Sequence, residues 1–343
     1  MNTELVTALP TAPPGWPLGR VRIHAPGRLH LGFLDPAGTL GRRFGSLGLV
    51  IDGPATVVEL GRAQEDRFEA DCDARAALDR AQGHVETLRR VTGCRAPVRL
   101  RIRSALPTHA GLGSGTQLAL AVGRAFSTAF DLGLTSPRVA KLLGRGARSG
   151  VGVAGFDQGG LLLDGGPQAD GSPAVLLSRI AMPQAWRVLL VLDPRLQGLS
   201  GRAEQAALQD LPPLPRTVSA EICHEVLMRV LPGAASSEFD PFAAGLSRMQ
   251  ELLGRHFAPA QEGRAFTSEA VGRLLQWIAG QAPAGIGQSS WGPTGFAFLP
   301  SEAAARTLLA AAADAGAIDP ALQVHLTGAR NHGATVAHAH PPG

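Results

Sequence analysis

Apolar and polar positions alternate from residue 21 to residue 34. Leu29, Leu31 and Phe33 fall on one side and His30 and Gly32 on the other, so the spacing predicts a strand, interrupted at Ala25-Pro26-Gly27. A glycine- and arginine-rich loop follows at 38–48, and residues 47–50 lead into a second strand at 55–60. Residues 74–92 have helical composition, and 98–102 alternate again as a strand. The Ala-, Leu- and Phe-rich run at 118–132 predicts a buried helix, and 137–148 another. Residues 185–193 (AWRVLLVLD), bracketed by Pro183 and Pro194, read as a buried strand. Beyond it, helices are predicted at 203–209, 220–230, 242–256, 268–281 and 301–315, with strands at 296–299 and 323–326. Helices and strands mix without a regular alternation and without an internal repeat, which predicts an α+β fold. A Gly/Pro/Asp/Ser cluster within 170–182 suggests the division: a disordered lead-in at 1–20, a first domain at 21–175 and a second at 176–340.

Composition narrows this little. Of 343 residues, 45% are hydrophobic and 17% charged, which is globular, and 32 basic against 28 acidic side chains leave a formal charge of +4. Small anionic substrates suit that balance better than nucleic acid, for which no support is seen. Cys72, Cys94 and Cys223 are far apart and form no CxxC, as expected of a chain in a reducing cytoplasm without a zinc site. No basic start followed by an apolar run marks a signal peptide, and no apolar stretch has the length of a membrane span.

The chemistry concentrates at 107–117, PTHAGLGSGTQ, directly before the predicted buried helix. Closely spaced glycines let backbone N–H groups converge, and the positive end of the following helix faces the same point, so Gly111, Leu112, Gly113, Ser114, Gly115, Thr116 and Gln117 form a candidate phosphate loop. It is neither GxxxxGK[ST] nor GxGxxG. With Pro107 and Gly111-Leu112-Gly113-Ser114 in matching places, it resembles the PxxxGLGSS loop of the galacto-, homoserine, mevalonate and phosphomevalonate (GHMP) kinase superfamily; Ala25-Pro26-Gly27-Arg28-Leu29 resembles that superfamily's first strand. The resemblance implies an N-terminal ribosomal-protein-like α/β domain and a C-terminal ferredoxin-like domain. Two kinase features are missing. Overlaying the kinase segment SGIDNAVSTYGG on residues 149–160 puts its catalytic Asp on Gly152, with Asp157 five residues further on, and Gly32-Phe33-Leu34 stands in place of GEH.

These departures match a narrower family. RLHLGF at 28–33, GLGSGTQ at 111–117, AGFDQGG at 154–160, QELLGRHF at 250–257 and GIGQSSWGPT at 285–294 are similar to β-ribofuranosylaminobenzene 5′-phosphate synthases, and the likeness runs from about residue 21 to residue 337. It implies joining of phosphoribosyl pyrophosphate to 4-aminobenzoate or 4-hydroxybenzoate with release of carbon dioxide and pyrophosphate, an early step towards methanopterin in one-carbon metabolism. Magnesium is the expected ion; flavin, nicotinamide and zinc are not called for, and a homodimer is the family-based expectation. Arg28 and His109 are then candidates for anion contacts, and His30 for a substrate contact. Asp157 is the candidate oxocarbenium stabiliser and, with Ser114, magnesium ligand. Arg42 and Arg43 are candidates for the benzoate or the ribose 5′-phosphate; Gln288, Ser289, Ser290 and Trp291 for a loop over the arene; Asn331 and His332 for further contacts. An ATP-dependent GHMP small-molecule kinase and a catalytically silent sensor are the alternatives.

Overall fold

The alternation that starts at Val21 folds as β1 (Val21–Asp35), and β2 (Phe44–Arg62) runs antiparallel beside it. In the computed structural model, which describes residues 20–168, 174–199 and 201–338, these strands are the spine of a seven-stranded sheet. β3 (Arg67–Ala70) and β4 (Val98–Ser104), joined through α1 (Leu78–Thr92), extend it at the C-terminal end of β2. After α2 (Ser114–Ala129), α3 (Ser136–Leu142) and α4 (Val151–Gln158), β5 (Leu161–Asp164) pairs with the N-terminal end of β2, and β6 (Leu176–Ile180) with β5.

The second half begins at β7 (Arg187–Leu192) and continues through α5 (Gly201–Asp210), α6 (Arg216–Glu225), α7 (Leu231–Ser236), α8 (Phe239–Phe257) and α9 (Glu269–Gln281). It then adds β8 (Gly285–Gln288), β9 (Gly295–Leu299), α10 (Glu302–Asp314) and β10 (Gln323–Thr327). The sheet order is β10-β7-β9-β8, all antiparallel: fourth, first, third, second along the chain, the ferredoxin-like arrangement. Its two central strands, β7 and β9, are almost wholly apolar because both faces are covered. Val188, Leu190 and Leu192 of β7 join Phe296 and Phe298 of β9 in a core with Leu29 and Leu31 of β1; Leu189, Val191, Ala297 and Leu299 face α9 and α10. The first of these cores is continuous between the two sheets, so the halves are packed on each other and not merely tethered.

Several expectations shift. The helix predicted at 137–148 ends at Leu142, because the chain turns through positive φ at Gly144 (65°) and leaves 143–150 as a loop. Residues 285–288, where no strand is predicted, are β8. The last strand, β11 (Thr335–His338), returns to pair with β1. Together with β6 it completes the first sheet from sequence beyond residue 175, so the sheets do not part at 175/176. The lead-in through residue 19, residues 170–173 at the start of the 170–182 cluster and the tail from 339 lie outside the described residues. Among the described residues no helix is long and apolar enough to cross a membrane.

Candidate active site

Gly111 sits at φ 82°, a left-handed conformation, with no room for a Cβ beside the Ser289 carbonyl. Its own carbonyl oxygen accepts from Arg28 Nη1 (3.1 Å) and from Ser289 Oγ (2.7 Å). The Ser289 hydroxyl in turn accepts from the His30 N–H (2.9 Å), and the His30 carbonyl accepts from the Ser290 N–H (3.1 Å). Arg28 N–H donates to the Leu112 carbonyl (3.1 Å). This ladder clamps the phosphate loop between β1 and the GIGQSSWGPT segment at 285–294. It also fixes the start of α2, where Gly113 is the N-cap, no side chain caps the helix, and no acid lies in the first turn. The N–H groups of Ser114 and Gly115 have no acceptor among the described residues, which is the arrangement of an anion site.

The loop opens on a cavity of about 460 Å³. Four arginines line it, Arg28, Arg80, Arg145 and Arg148, against one carboxylate, Glu204, which pairs with Arg148 at 2.6 Å. Arg28, Arg80 and Arg145 have no carboxylate partner among the described residues, and Arg28 Nε, Arg145 Nε and Arg148 Nη1 are buried without an acceptor. Burial pushes the Arg28 guanidinium down to about 10, with Glu204 opposing, and holds Arg80 and Arg145 below the usual arginine range. Unpaired buried cations are costly unless a ligand supplies the anion. Phe33, Ser290 and Trp291 form another wall, with Trp291 packed on Phe257 at 4.6 Å between ring centroids.

His30 lies in the same wall, 3% exposed, edge-on to Phe33 at 4.6 Å, with Nε2 unpartnered. Burial, reinforced by the Arg28 and Arg148 charges, lowers its pKa to about 3. It is therefore neutral at pH 7 and serves as a hydrogen-bonding group, not a cation. Since the folded pKa lies below the unfolded value of about 6.5, the unfolded chain binds the proton first. Its contribution to stability is full above about pH 6.5 and is lost as pH falls towards 3. Thermal unfolding between pH 7 and 4 should show a falling midpoint that is shallower in His30→Gln; an identical slope in both proteins would contradict the buried neutral imidazole.

The structure brings Arg28, His30, His109, Gly111, Gly113, Ser114, Gly115, Thr116, Ser290 and Trp291 to this cavity. The other candidates lie elsewhere. Leu112 is core, and Gln117 is buried with its amide donating to the Gly152 carbonyl (3.1 Å). Ser289 is enclosed in the ladder, and Gln288 is committed to Thr267, Gln261 and Ser290. Arg42 is exposed, and Arg43 folds over Phe44 and the Pro36 carbonyl; neither lines the cavity. Asn331 grips the Met182 N–H and carbonyl, each at 2.8 Å, and the His332 backbone packs on Gly159 at the far end of α4.

Asp157 needs correction as a magnesium ligand or charge stabiliser. It accepts from Ser136 Oγ (2.6 Å) and Arg124 Nη2 (3.2 Å), in a separate surface hollow. Arg124 lies ten residues beyond Ser114 on α2, about 15 Å along the helix. Asp157→Asn should therefore keep turnover within about twofold while lowering stability by up to about 1 kcal/mol; a large loss of kcat with an unchanged unfolding midpoint would restore it to the site.

Sequence reasoning missed Arg80, Arg145, Arg148 and Glu204. The first sits on α1, two on a loop read as helix, and the last on α5. It also missed Asp164, whose carboxylate accepts from the Gly150 (2.8 Å) and Val151 (3.2 Å) N–H groups and so caps α4 beside Gly152. Gly152 itself is where an acid would reach the loop: a Cβ there would lie 3.2 Å from Thr116 Cγ2 and 3.8 Å from Arg28 Nε.

Comparison with known proteins agrees with this geometry. Residues 79–165 match the GHMP kinases N terminal domain and residues 230–318 the GHMP kinases C terminal domain. Homoserine kinase from Cytophaga hutchinsonii superimposes with a TM-score of 0.66 at 15% identity, covering 92% of this chain and 97% of that one. Phosphomevalonate kinase from Streptococcus pneumoniae does so at 0.68 and 13%, covering 91% and 100%. At these identities the likeness is one of fold. The β-ribofuranosylphenol 5′-phosphate synthase of Archaeoglobus fulgidus is 34% identical over 82% of this chain and 89% of its own length. That of Methanocaldococcus jannaschii is 30% identical over 80% and 88%. With a kinase fold, a phosphate loop and no acid at Gly152, the chain belongs to the β-ribofuranosylphenol (β-ribofuranosylaminobenzene) 5′-phosphate synthase family within the GHMP kinase superfamily.

Proposed function

We propose that this enzyme transfers the phosphoribosyl group of phosphoribosyl pyrophosphate to 4-aminobenzoate or 4-hydroxybenzoate, releasing pyrophosphate and carbon dioxide. The observation that carries the reading is the cavity itself: four arginines and a helix start converge on it, with one carboxylate, already paired. Such a site favours a ligand of several negative charges; phosphoribosyl pyrophosphate brings them, and a benzoate adds one more.

The electron count asks for no more than this. The bond from the anomeric carbon to pyrophosphate breaks with its electron pair leaving on oxygen. The ring carbon bearing the carboxylate forms the new bond, and the bond to the carboxylate then breaks, returning its electrons to the ring as carbon dioxide departs. No proton leaves carbon, so no carbon base is needed, which accords with Gly152 and a neutral His30. Donors at the α2 start and Arg28 meet charge as it develops on the leaving group. Phe33 and Trp291 offer an aromatic wall for the arene.

A magnesium ion in this cavity would draw most of its ligands from the substrate's phosphates. Among the described residues no three His, Cys, Asp or Glu side chains are grouped to hold a metal, and Glu204 is engaged by Arg148. In this proposal the ion is part of the pyrophosphate-bearing substrate. The enzyme acts in the cytoplasm, as a homodimer, in the supply of a methanopterin precursor. Incubation with phosphoribosyl pyrophosphate, magnesium and each benzoate should give a product whose mass equals the arene less carbon dioxide, plus ribose 5-phosphate less one water, and it identifies the arene. Absence of that product with both arenes, together with ADP formed from ATP and a small alcohol, would replace the reading with a kinase.

A further inference from the structure

The cavity's cations fall into two groups on either side of the α2 start. Arg28 lies against Gly113, where a Cβ would sit 3.4 Å from its Cζ, and it bonds the Gly111 carbonyl. Arg28 and Arg148 are the charges that bear on His30, so this group adjoins the aromatic wall. Arg145 lies against Gly115, where a Cβ would sit 3.3 Å from its Nη1, and the charge that bears on it is Arg80, reaching in from α1. Neither the Arg80 nor the Arg145 guanidinium has a hydrogen-bond or ion-pair partner among the described residues, and Arg145 Nε is buried. Two like charges held together without an anion point to a ligand that supplies one. His84, on α1 beside them, is driven down to about 4 by burial and then by Arg145 and Arg80, so it adds no cation of its own.

We infer that Arg80 and Arg145 form a leaving-group clamp: with the Ser114 and Gly115 N–H groups, they hold the pyrophosphate moiety rather than the ribose 5′-phosphate. This rests on the proposed function. The arene must reach the anomeric carbon, which places that carbon beside Phe33, His30 and Trp291. The group departing from the opposite side then moves across the helix start towards Arg145 and Arg80. Arg145 shares the first phosphate with the α2 N–H groups, and Arg80, from the facing helix, meets the distal one. Pyrophosphate carries the largest charge in the reaction, and a bidentate guanidinium is the group that recognises it with most geometric selectivity.

The test is calorimetric titration of wild type, Arg80→Met, Arg145→Met and Arg145→Lys with inorganic pyrophosphate and, separately, ribose 5-phosphate. Thermal unfolding of each protein checks that it is folded. The expected result is a pyrophosphate affinity weakened about 10- to 100-fold in each Met variant, partial recovery in Arg145→Lys, and ribose 5-phosphate binding within about twofold of wild type. Unchanged pyrophosphate binding, or an equal or larger loss for ribose 5-phosphate, would overturn the assignment. The two readings fail separately. A wild type that binds pyrophosphate through these arginines but makes no riboside keeps the clamp and loses the synthase; a Met variant that makes riboside with unaltered pyrophosphate affinity does the reverse.

Discussion

Arg28→Met is expected to lower kcat/KM by about 10²- to 10³-fold without lowering the unfolding midpoint. Arg28 is the β1 residue that faces the loop; its Nη1 bonds the Gly111 carbonyl, and its Nε is buried without an acceptor. No carboxylate neutralises it, and burial has already pushed it down to about 10. A methionine of similar length keeps the packing and removes an unpaired charge, so the folded protein loses one hydrogen bond and is relieved of a desolvated cation. The transition state loses a donor aimed at developing negative charge. Steady-state kinetics beside thermal unfolding checks both halves. A variant with intact kinetics, or one that unfolds far more easily at unchanged kcat, would show Arg28 to be a structural strut.

Gly111→Ala is expected to be severe in the opposite way, costing about 2–5 kcal/mol of stability and most of the activity. The alanine would have to hold φ near 82° and put its Cβ into the Ser289 carbonyl. Relief requires the loop to move off the 285–294 segment, breaking the Ser289–Gly111 bond and shifting the α2 N–H groups with it. Urea unfolding followed alongside turnover gives the result; a shift below about 0.5 kcal/mol with normal kinetics would mean the loop is not held as described.

How much of this was legible follows from where the signals sit. The phosphate loop was readable because its glycines, the helix after it and the β1 motif are each local in sequence. AWRVLLVLD was readable as a buried strand because an apolar run of that length needs two covered faces, and β7 has both. Arg80 and Arg145 were not, because each stands in a segment whose polar composition looks like an ordinary solvated face, and only the packing of α1 beside the loop after α3 brings them together. Asp157 misled because it is near Gly152 in sequence. Both lie on α4, and five residues of helix turn the side chain about 140° and carry it about 7 Å along the axis. Gln288 and Ser289 belong to a motif that is specific to the family, but their side chains hold the loop together and do not line the cavity's reactive face. A motif marks residues that the site requires; whether they touch substrate or position others that do is decided by tertiary contacts.

In the function proposed above, this kinase fold performs a decarboxylating phosphoribosyl transfer. The most direct measurement is a stoichiometry: phosphoribosyl pyrophosphate, magnesium and the carboxyl-labelled benzoate that is turned over, with labelled carbon dioxide and pyrophosphate counted in one reaction. A decarboxylating transfer gives equal amounts of both, none without the arene, and no dependence on ATP. Pyrophosphate released without labelled carbon dioxide, or turnover only when ATP is present, would contradict it.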